Sequence, residues 1–194
     1  LASKMGIPII ANSETAKGIA SYLKSTPKFK IFATGETFEF ADLKIHPFTI
    51  QHDTPDPVAF TIHYENIKMG FCTDLGFATS LVEQRLKLCD YLYLEANHQP
   101  AMVHASNRPM IYKQRVLGRH GHLSNEHCGK LLKSVYHENL KHVHLAHLSD
   151  ECNHPSVALA TVREILGNQE VDISIAHQKE ISQKITFNTQ QVLK

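Results

Sequence analysis

Residues 140–155, LKHVHLAHLSDECNHP, combine a short apolar run with a mostly polar loop. Val143 and Leu145 alternate with histidines and an alanine up to His147, and an apolar residue at every second position is typical of a β-strand that enters a core. A helix is predicted to begin near Pro155. A histidine at the exit of a buried strand is held rigidly while its ring faces a cleft, as a metal ligand requires. Such a histidine is nevertheless more often structural.

Other residues able to carry chemistry stand where predicted strands and helices meet loops. His52, Asp74 and Glu95 lie at or just after the ends of apolar runs, and His122 precedes a helix that Ser124 caps. Strand termini are where α/β folds place their sites, and imidazoles with carboxylates suit divalent zinc, manganese or iron. Each residue alone has a simpler explanation, because histidine is abundant in this chain and aspartate is a common turn former.

Apolar periodicity predicts strands alternating with helices. The predicted strands are 7–11, 28–33, 37–40, 43–50, 58–64, 67–72, 91–96, 142–147, 171–176 and 184–187. The predicted helices are 12–25, 79–88, one after Ser124 and 156–166, with the end of another at 1–6. Residues 99–119 show no clear periodicity. The pattern predicts an α/β fold with a mixed sheet.

Composition narrows the class of protein. The 194 residues suit one domain, and 20 basic against 19 acidic residues give a net charge of +1, so no strong basic field indicates nucleic acid. The four cysteines are widely spaced and form no CxxC pair, which favours a reduced, cytoplasmic location. No apolar stretch approaches the roughly 18 residues of a membrane helix. Fourteen histidines are the unusual feature.

Four basic residues lie in or next to the segment without periodicity: Arg108, Lys113, Arg115 and Arg119. They could contact phosphates of a nucleic acid or another phosphodiester. The alternative is a solvated loop with no specific partner.

Five ordered motifs give the chain a family resemblance. They are His52-Asp53 with Asp56-Pro57, Thr73-Asp74-Leu75-Gly76, Leu94-Glu95-Ala96-Asn97-His98, Gly121-His122-Leu123-Ser124-Asn125 and Ala146-His147-Leu148-Ser149. With them the whole chain resembles the metallo-β-lactamase superfamily, specifically its small bacterial hydrolases of the YycJ (WalJ) type, and more distantly tRNase Z. The resemblance implies the αβ/βα sandwich of that family, an α+β arrangement within the broad α/β class.

The resemblance also implies roles. His52 would bind a first divalent ion, Asp74 would bridge two ions, and His147 would bind the second; zinc is the first choice, with manganese or iron as alternatives. Glu95 would orient His122, and His122 would steady a scissile phosphate or protonate a leaving oxygen. The implied enzyme is a phosphodiesterase or nuclease acting on DNA or RNA. A thioester or lactone hydrolase using the same metals, or a degenerate protein without catalysis, is the alternative.

One departure from the family qualifies these expectations. The motif HxHxDH, which supplies four groups in that family, has no counterpart here and would lie upstream of Leu1. The resemblance therefore implies that residues 1–194 form one domain without its first strands and first metal motif. Each ion would keep two protein ligands, whereas catalytic zinc generally uses three plus water. We accordingly expect the chain by itself to be inactive.

Overall fold

The computed structural model describes residues 2–23 and 25–187. The helices are α1 (Ala2–Met5), α2 (Ser13–Tyr22), α3 (Ser80–Leu86), α4 (Pro100–Ala105), α5 (Met110–Leu117), α6 (Asn125–Val135) and α7 (Pro155–Leu166). The strands are β1 (Ile9–Ala11), β2 (Phe29–Ile31), β3 (Phe38–Phe40), β4 (Leu43–Thr49), β5 (Val58–Tyr64), β6 (Ile67–Cys72), β7 (Tyr91–Glu95), β8 (His142–Ala146) and β9 (Asp172–Ile175).

Seven strands form one mixed sheet in the order β3-β4-β5-β6-β7-β8-β9, and β1 pairs with β2 in a separate small sheet. Strands β3 to β6 are successive antiparallel neighbours, whereas β6 to β9 are parallel. Two antiparallel steps also make β4 run in the same direction as β6. The ends of β4, β6, β7 and β8 therefore meet at one edge of the sheet, and the predicted α/β fold with a mixed sheet is confirmed.

Helices α3, α6 and α7 cover one face of this sheet and bury the main core. Alternation in the strands explains which side chains face the helices: Leu92 and Leu94 are buried, whereas Tyr91 and Tyr93 between them remain partly exposed. The parallel strand β8 carries Val143 and Leu145 into the same core. Because the sheet edge continues directly from this rigid core, the loops that follow the strands start from fixed positions.

Side-chain caps define where four helices begin, and at α7 the cap is His154, which accepts from the Ser156 amide. Asn12 accepts a hydrogen bond from the Thr15 amide, and Ser124 accepts one from the His127 amide, as the sequence predicts. The third cap is Thr79, which accepts from the Val82 amide at the start of α3. These caps satisfy amide groups that a helix cannot pair internally.

Three sequence predictions are wrong in detail. Residues 99–119 contain two helices, α4 and α5. Both are too short to show a clear periodic pattern, and neither has the side-chain cap that would mark its start in the sequence. The strand predicted at 184–187 is absent, because β9 is the last strand of the sheet and nothing pairs beyond it among the described residues. Helix α2 ends at Tyr22 instead of residue 25. Among the residues placed, no helix is long and apolar enough to cross a membrane.

Candidate metal centre

The edge where β4, β6, β7 and β8 end gathers all five residues that the sequence singles out. Asp74 follows β6, Glu95 is the last residue of β7, and His147 follows β8. His52 lies three residues beyond β4, and His122 lies in the loop before α6. Side chains distant in sequence are close here because parallel strands deliver their carboxyl ends to the same edge.

Asp74 lies among the three histidines. Its Oδ1 is 3.8 Å from Nε2 of His52, 3.6 Å from Nδ1 of His147 and 4.0 Å from Nδ1 of His122. The expected convergence of His52, Asp74 and His147 is therefore present in the structure. Asp74 is half exposed, whereas His52 and His122 are largely buried, so the carboxylate faces a cavity from a wall of imidazoles.

Glu95 is completely buried beneath these histidines and is saturated with hydrogen bonds. Its Oε1 accepts from Nδ1 of His122 at 2.8 Å and from Nδ1 of His147 at 2.6 Å. Its Oε2 accepts from the amides of Leu75 and Leu123 at 2.9 and 3.1 Å. Burial alone raises the pKa of Glu95, but these donors and the neighbouring positive charge lower it below its usual value. A charged carboxylate thus anchors both rings.

Acceptors fix the tautomer of all three histidines. A carboxylate oxygen of Glu95 accepts from Nδ1 of His122 and of His147, and the carbonyl of Gly121 lies 3.0 Å from Nδ1 of His52. Carbonyl and carboxylate oxygens accept only, so each Nδ1 carries the proton. Each Nε2 is then the nitrogen that remains for an ion or a substrate. Metal-binding histidines are held in this way by their second nitrogen.

Two ligand sets are chemically conceivable at this edge. Asp74, Glu95, His122 and His147 present donor atoms within 4.8 Å of one another. However, two ligands of one tetrahedral zinc ion with bonds of about 2.0–2.1 Å are about 3.3 Å apart. The oxygen of Glu95 is only 2.6 and 2.8 Å from the two ring nitrogens, which are hydrogen-bond distances. Glu95 therefore orients the rings here, and Asp74 with His52 has the spacing that suits a shared ion.

Backbone conformation helps to aim two of these side chains. Asp74 and His147 have φ angles of 58° and 54°, in the left-handed region that residues with a side chain seldom adopt. The surrounding structure offsets this strain. Asn97 donates from its side chain to the carbonyl of His147 at 2.8 Å and accepts at its own carbonyl from the Ser149 amide.

Buried amide side chains tie these loops together. Asn153 donates to the carbonyls of Ala96 and Asn97 at 2.7 and 3.0 Å, and its side chain is paired at 2.9 Å with that of Asn125. Asn125 in turn donates to Gln99. The segments after β7 and β8 are thus joined to the start of α6. Sequence reasoning missed Asn153 because a single asparagine in a polar loop gives no distinguishing signal.

The site opens into a cavity of about 680 Å³, which α5 borders through Tyr112 and Arg115. All four basic residues that the sequence singled out already have partners. Arg115 pairs with Asp53 at 2.5 Å, Arg108 pairs with Glu151, and Arg119 lies over the ring of Phe77. The fourth, Lys113, donates to the carbonyl of His104. Arg115 is the one of the four that lines the cavity. Lys113 and Arg115 lie on α5, whereas Arg108 and Arg119 lie just before and just after it.

The carboxylates around His147 raise its pKa. The hydrogen bond to Glu95 raises the pKa of His147 above its usual value in spite of burial, and the charges of Glu95 and Asp74 add to the effect. A proton and a metal ion compete for an imidazole. Binding of an ion by His147 is therefore expected to weaken as the pH falls.

Residues 2–145 match the family model of the β-lactamase superfamily domain. The chain belongs to this superfamily. It is 30% identical over 169 residues to the exodeoxyribonuclease YycJ of Bacillus anthracis, covering 86% of this chain and 64% of that protein. It is 27% identical over 179 residues to the exodeoxyribonuclease WalJ of Streptococcus pneumoniae, covering 90% of this chain and 66% of that protein. The chain thus spans somewhat less than two thirds of the length of both relatives.

Solved structures agree on the fold. The metallo-β-lactamase fold protein YhfI from Bacillus subtilis has a TM-score of 0.64 at 14% identity, over 86% of this chain and 62% of that one. Zinc-bound PqqB from Methylobacterium extorquens has a TM-score of 0.63 at 15% identity, over 88% and 62%. The short form of human tRNase Z has a TM-score of 0.51 at 13% identity, over 87% and 63%. The predicted metallo-β-lactamase fold is confirmed.

Proposed function

We propose that this chain carries the metal centre of a divalent-metal-dependent phosphodiesterase of the nuclease type, with DNA as its first substrate class. The observation that supports it best is the pair of hydrogen bonds from His122 and His147 to the buried carboxylate of Glu95. This arrangement leaves Nε2 of both rings available for chemistry. The exodeoxyribonuclease names of the two curated relatives favour DNA over other phosphodiesters.

His52 and Asp74 would hold one ion, and Asp74 and His147 would hold a second. Two imidazoles and a half-exposed carboxylate at one sheet edge fit divalent zinc, and they also accept manganese or iron. When bound, such ions lower the pKa of water and stabilise negative charge on a phosphate. We propose two ions, with zinc as the first choice, and a cytoplasmic location for the protein.

His122 would act on the substrate instead of holding an ion. Its Nδ1–H is bonded to Glu95, and its ring lines the cavity beside Asp74. When it carries a proton on both nitrogens, a ring fixed in this way can deliver the Nε2 proton to the leaving oxygen of a phosphodiester, or donate a hydrogen bond from Nε2 to the phosphate. Glu95 would be a positioning residue, since it is fully buried and contacts neither the cavity nor solvent.

The test measures metal content and turnover separately. The 194-residue chain is supplied with zinc or manganese at millimolar concentration, since two protein donors per ion predict weak binding and low turnover. Metal stoichiometry is measured alongside hydrolysis of a chromogenic phosphodiester, labelled single-stranded DNA, a thioester and a lactone. Turnover of the thioester or lactone without the phosphodiester would overturn the substrate class.

His122→Ala provides the decisive variant, with His127→Ala as its control because His127 is exposed on α6. In a complete enzyme that also carries the HxHxDH motif, we expect His122→Ala to lower phosphodiester turnover by about 10²–10⁴-fold, as removal of an acid–base group does, while metal content is retained. His127→Ala should match the unmodified chain. Loss of metal in His122→Ala would instead make His122 a ligand and contradict the proposed division of roles.

A further inference from the structure

Three basic side chains lie in one row across the sheet, far from the metal centre. Lys44 of β4 is directly opposite His63 of β5, and His63 is directly opposite Lys68 of β6. Side chains in such positions share a face, with Cβ atoms about 4.5–5.5 Å apart. His63 separates the two lysines, and the two ammonium groups on one face make this part of the sheet electropositive, which favours an anion beside it.

Arg85 from α3 and His46 from β4 extend the row into a cavity of about 620 Å³. His46 lies opposite Thr61 in the register, on the same face as Lys44. Its Nδ1 is 3.0 Å from the hydroxyl of Thr37, while its Nε2 is buried and has no hydrogen-bond partner among the residues described. In the tautomer that places the proton on Nε2, this buried N–H lacks an acceptor, which is costly, and an anion would supply one.

The three cations at this cavity, Lys44, Lys68 and Arg85, outnumber the two carboxylates beside it. Glu65 lines the cavity, and Glu39 is opposite Lys44 in the register of β3 and β4. Within the placed part of the chain, neither carboxylate forms an ion pair with Lys44, Lys68 or Arg85. Lys68 uses its ammonium group on the carbonyl of Lys87, which leaves its charge in place.

The two histidines respond to these charges. Burial lowers the pKa of His46, and the charges of Arg85 and His63 lower it further. Burial likewise lowers the pKa of His63, with Lys68 and Lys44 adding to the effect. The neighbouring cations therefore disfavour protonation of both rings. At neutral pH the two rings are uncharged and can still form hydrogen bonds.

The cavity is separate from the metal centre. Lys68 lies near the start of β6, whereas Asp74 follows the end of the same strand. Six residues at about 3.3 Å each place the two sites roughly 20 Å apart. Helix α3 runs between the two ends of the sheet, with Arg85 in its last turn beside the basic cavity.

We propose that the cavity lined by Lys44, His46, His63, Lys68 and Arg85 binds a phosphate group. Arginine and lysine recognise phosphate through charge-assisted hydrogen bonds, and a neutral imidazole N–H adds a directed donor. This inference builds on the proposed function, since a backbone phosphate of a bound DNA strand is the occupant that this function supplies. A separation of roughly 20 Å corresponds to about six nucleotides at 3.4 Å each, so only a longer strand reaches both sites.

The experiment measures binding without hydrolysis. Fluorescently labelled single-stranded oligonucleotides, a trinucleotide and a strand of about twelve nucleotides, are titrated with metal-free protein by anisotropy at several salt concentrations. The double variant Lys44→Ala/Arg85→Ala is compared with Lys133→Ala/Arg163→Ala, which removes the same charges from exposed positions on α6 and α7. Circular dichroism checks that both variants are folded.

We expect the cavity variant to bind the longer strand about tenfold or more weakly, with the slope of log K against log salt reduced by about 1.4, the value for two lost phosphate contacts on a single strand. The trinucleotide should be affected much less, and the control variant should resemble the unmodified chain. Equal losses in the two double variants would show a nonspecific charge effect and overturn the inference.

Two further measurements separate the possible outcomes. Inorganic phosphate is titrated while the ring protons of the histidines are followed by NMR; shifts of His46 and His63 with no effect of the variant on the longer strand would assign the cavity to free phosphate and overturn the strand assignment. Hydrolysis of a small chromogenic phosphodiester, which reaches the metal centre alone, should be unchanged in Lys44→Ala/Arg85→Ala. A lack of hydrolysis would contradict the proposed function but would not change the binding result. The two proposals are therefore tested independently.

Discussion

The carbonyl oxygen of Gly121 lies 3.0 Å from Nδ1 of His52, 69 positions away in the sequence. Among the three histidines around Asp74, His52 is the one that Glu95 does not bond, and this contact sets its orientation. Gly121 can pack against the last turn of α5 because it has no side chain: a Cβ at this position would lie 2.1 Å from the carbonyl oxygen of Arg115 and 2.4 Å from that of Val116. Because Gly121 has no side chain, its carbonyl can occupy the position from which it orients the imidazole of His52.

Gly121→Ala is therefore expected to destabilise the protein and weaken metal binding. Overpacking against backbone typically costs about 1–3 kcal/mol of unfolding free energy. Displacing the carbonyl that orients His52 should weaken zinc binding by about 10–100-fold, as loss of an outer partner does. Chemical denaturation and competition with a chromophoric chelator measure the two effects.

The matched control is Gly18→Ala in α2, where a Cβ would meet nothing within 4 Å. Alanine in a helix interior should stabilise the protein by about 0.5–1 kcal/mol and leave zinc affinity unchanged. Unaltered zinc affinity in Gly121→Ala would show that the Gly121 carbonyl does not position His52.

Glu95→Gln should weaken metal binding without removing a proposed ligand. The amide would present a donor toward two histidines or toward the amides of Leu75 and Leu123, so at least one of the four hydrogen bonds is lost. We expect zinc affinity to fall about 10–100-fold, measured by chelator competition. Glu126→Gln, on an exposed position of α6, is the control. A complete loss of zinc, as severe as that of Asp74→Ala, would favour Glu95 as a ligand.

Asn153→Asp should strongly destabilise the protein, because it replaces a buried amide donor with an acceptor facing the carbonyls of Ala96 and Asn97. Leaving such groups unpaired costs about 1–3 kcal/mol each. Thermal or urea unfolding should reveal the loss, with Asn139→Asp at an exposed turn as the control. Similar stabilities for the two variants would mean that the Asn153 amide contributes little to holding the loops.

The sequence predicted the strand ends that carry Asp74, Glu95 and His147 better than it predicted the helices next to them. Strands β6, β7 and β8 have strong apolar runs that end at a polar residue, so both the strands and the positions of Asp74, Glu95 and His147 follow from local pattern. The direction of the strands then brings these residues together. Helices α4 and α5 were missed because they are short and bury few residues, Val103 and Val116.

Contacts that depend on tertiary structure had no local signal. The Gly121 carbonyl that orients His52 is a backbone group, and any residue has one, so only the folded chain shows its role. The basic row of Lys44, His63 and Lys68 likewise depends on strand register, which is set by turns and packing between separate segments. Family resemblance could suggest the roles of single residues but could not supply these relationships.

His98 provides a test of how the interior beside the metal centre responds to acid. Its ring is buried, with Nδ1 lacking a partner among the residues described, and its backbone carbonyl accepts from the Asn125 amide. Burial lowers the pKa of His98 from 6.5 to about 4, against the attraction of Glu95 and together with the repulsion of His122 and His127. The folded protein therefore keeps this ring neutral at pH values where the unfolded chain protonates it.

Between about pH 6.5 and 4 the unfolded state binds more protons at His98 than the folded state does. The unfolding free energy consequently falls as the pH falls through this window, by roughly 3 kcal/mol for a shift of this size. His98→Asn removes the titrating group, so its stability should decline less over the same window even if it starts lower. Urea unfolding at pH steps measures both curves, with exposed His104→Asn as the control. Parallel curves for His98→Asn and the unmodified protein would show that His98 does not cause the acid sensitivity.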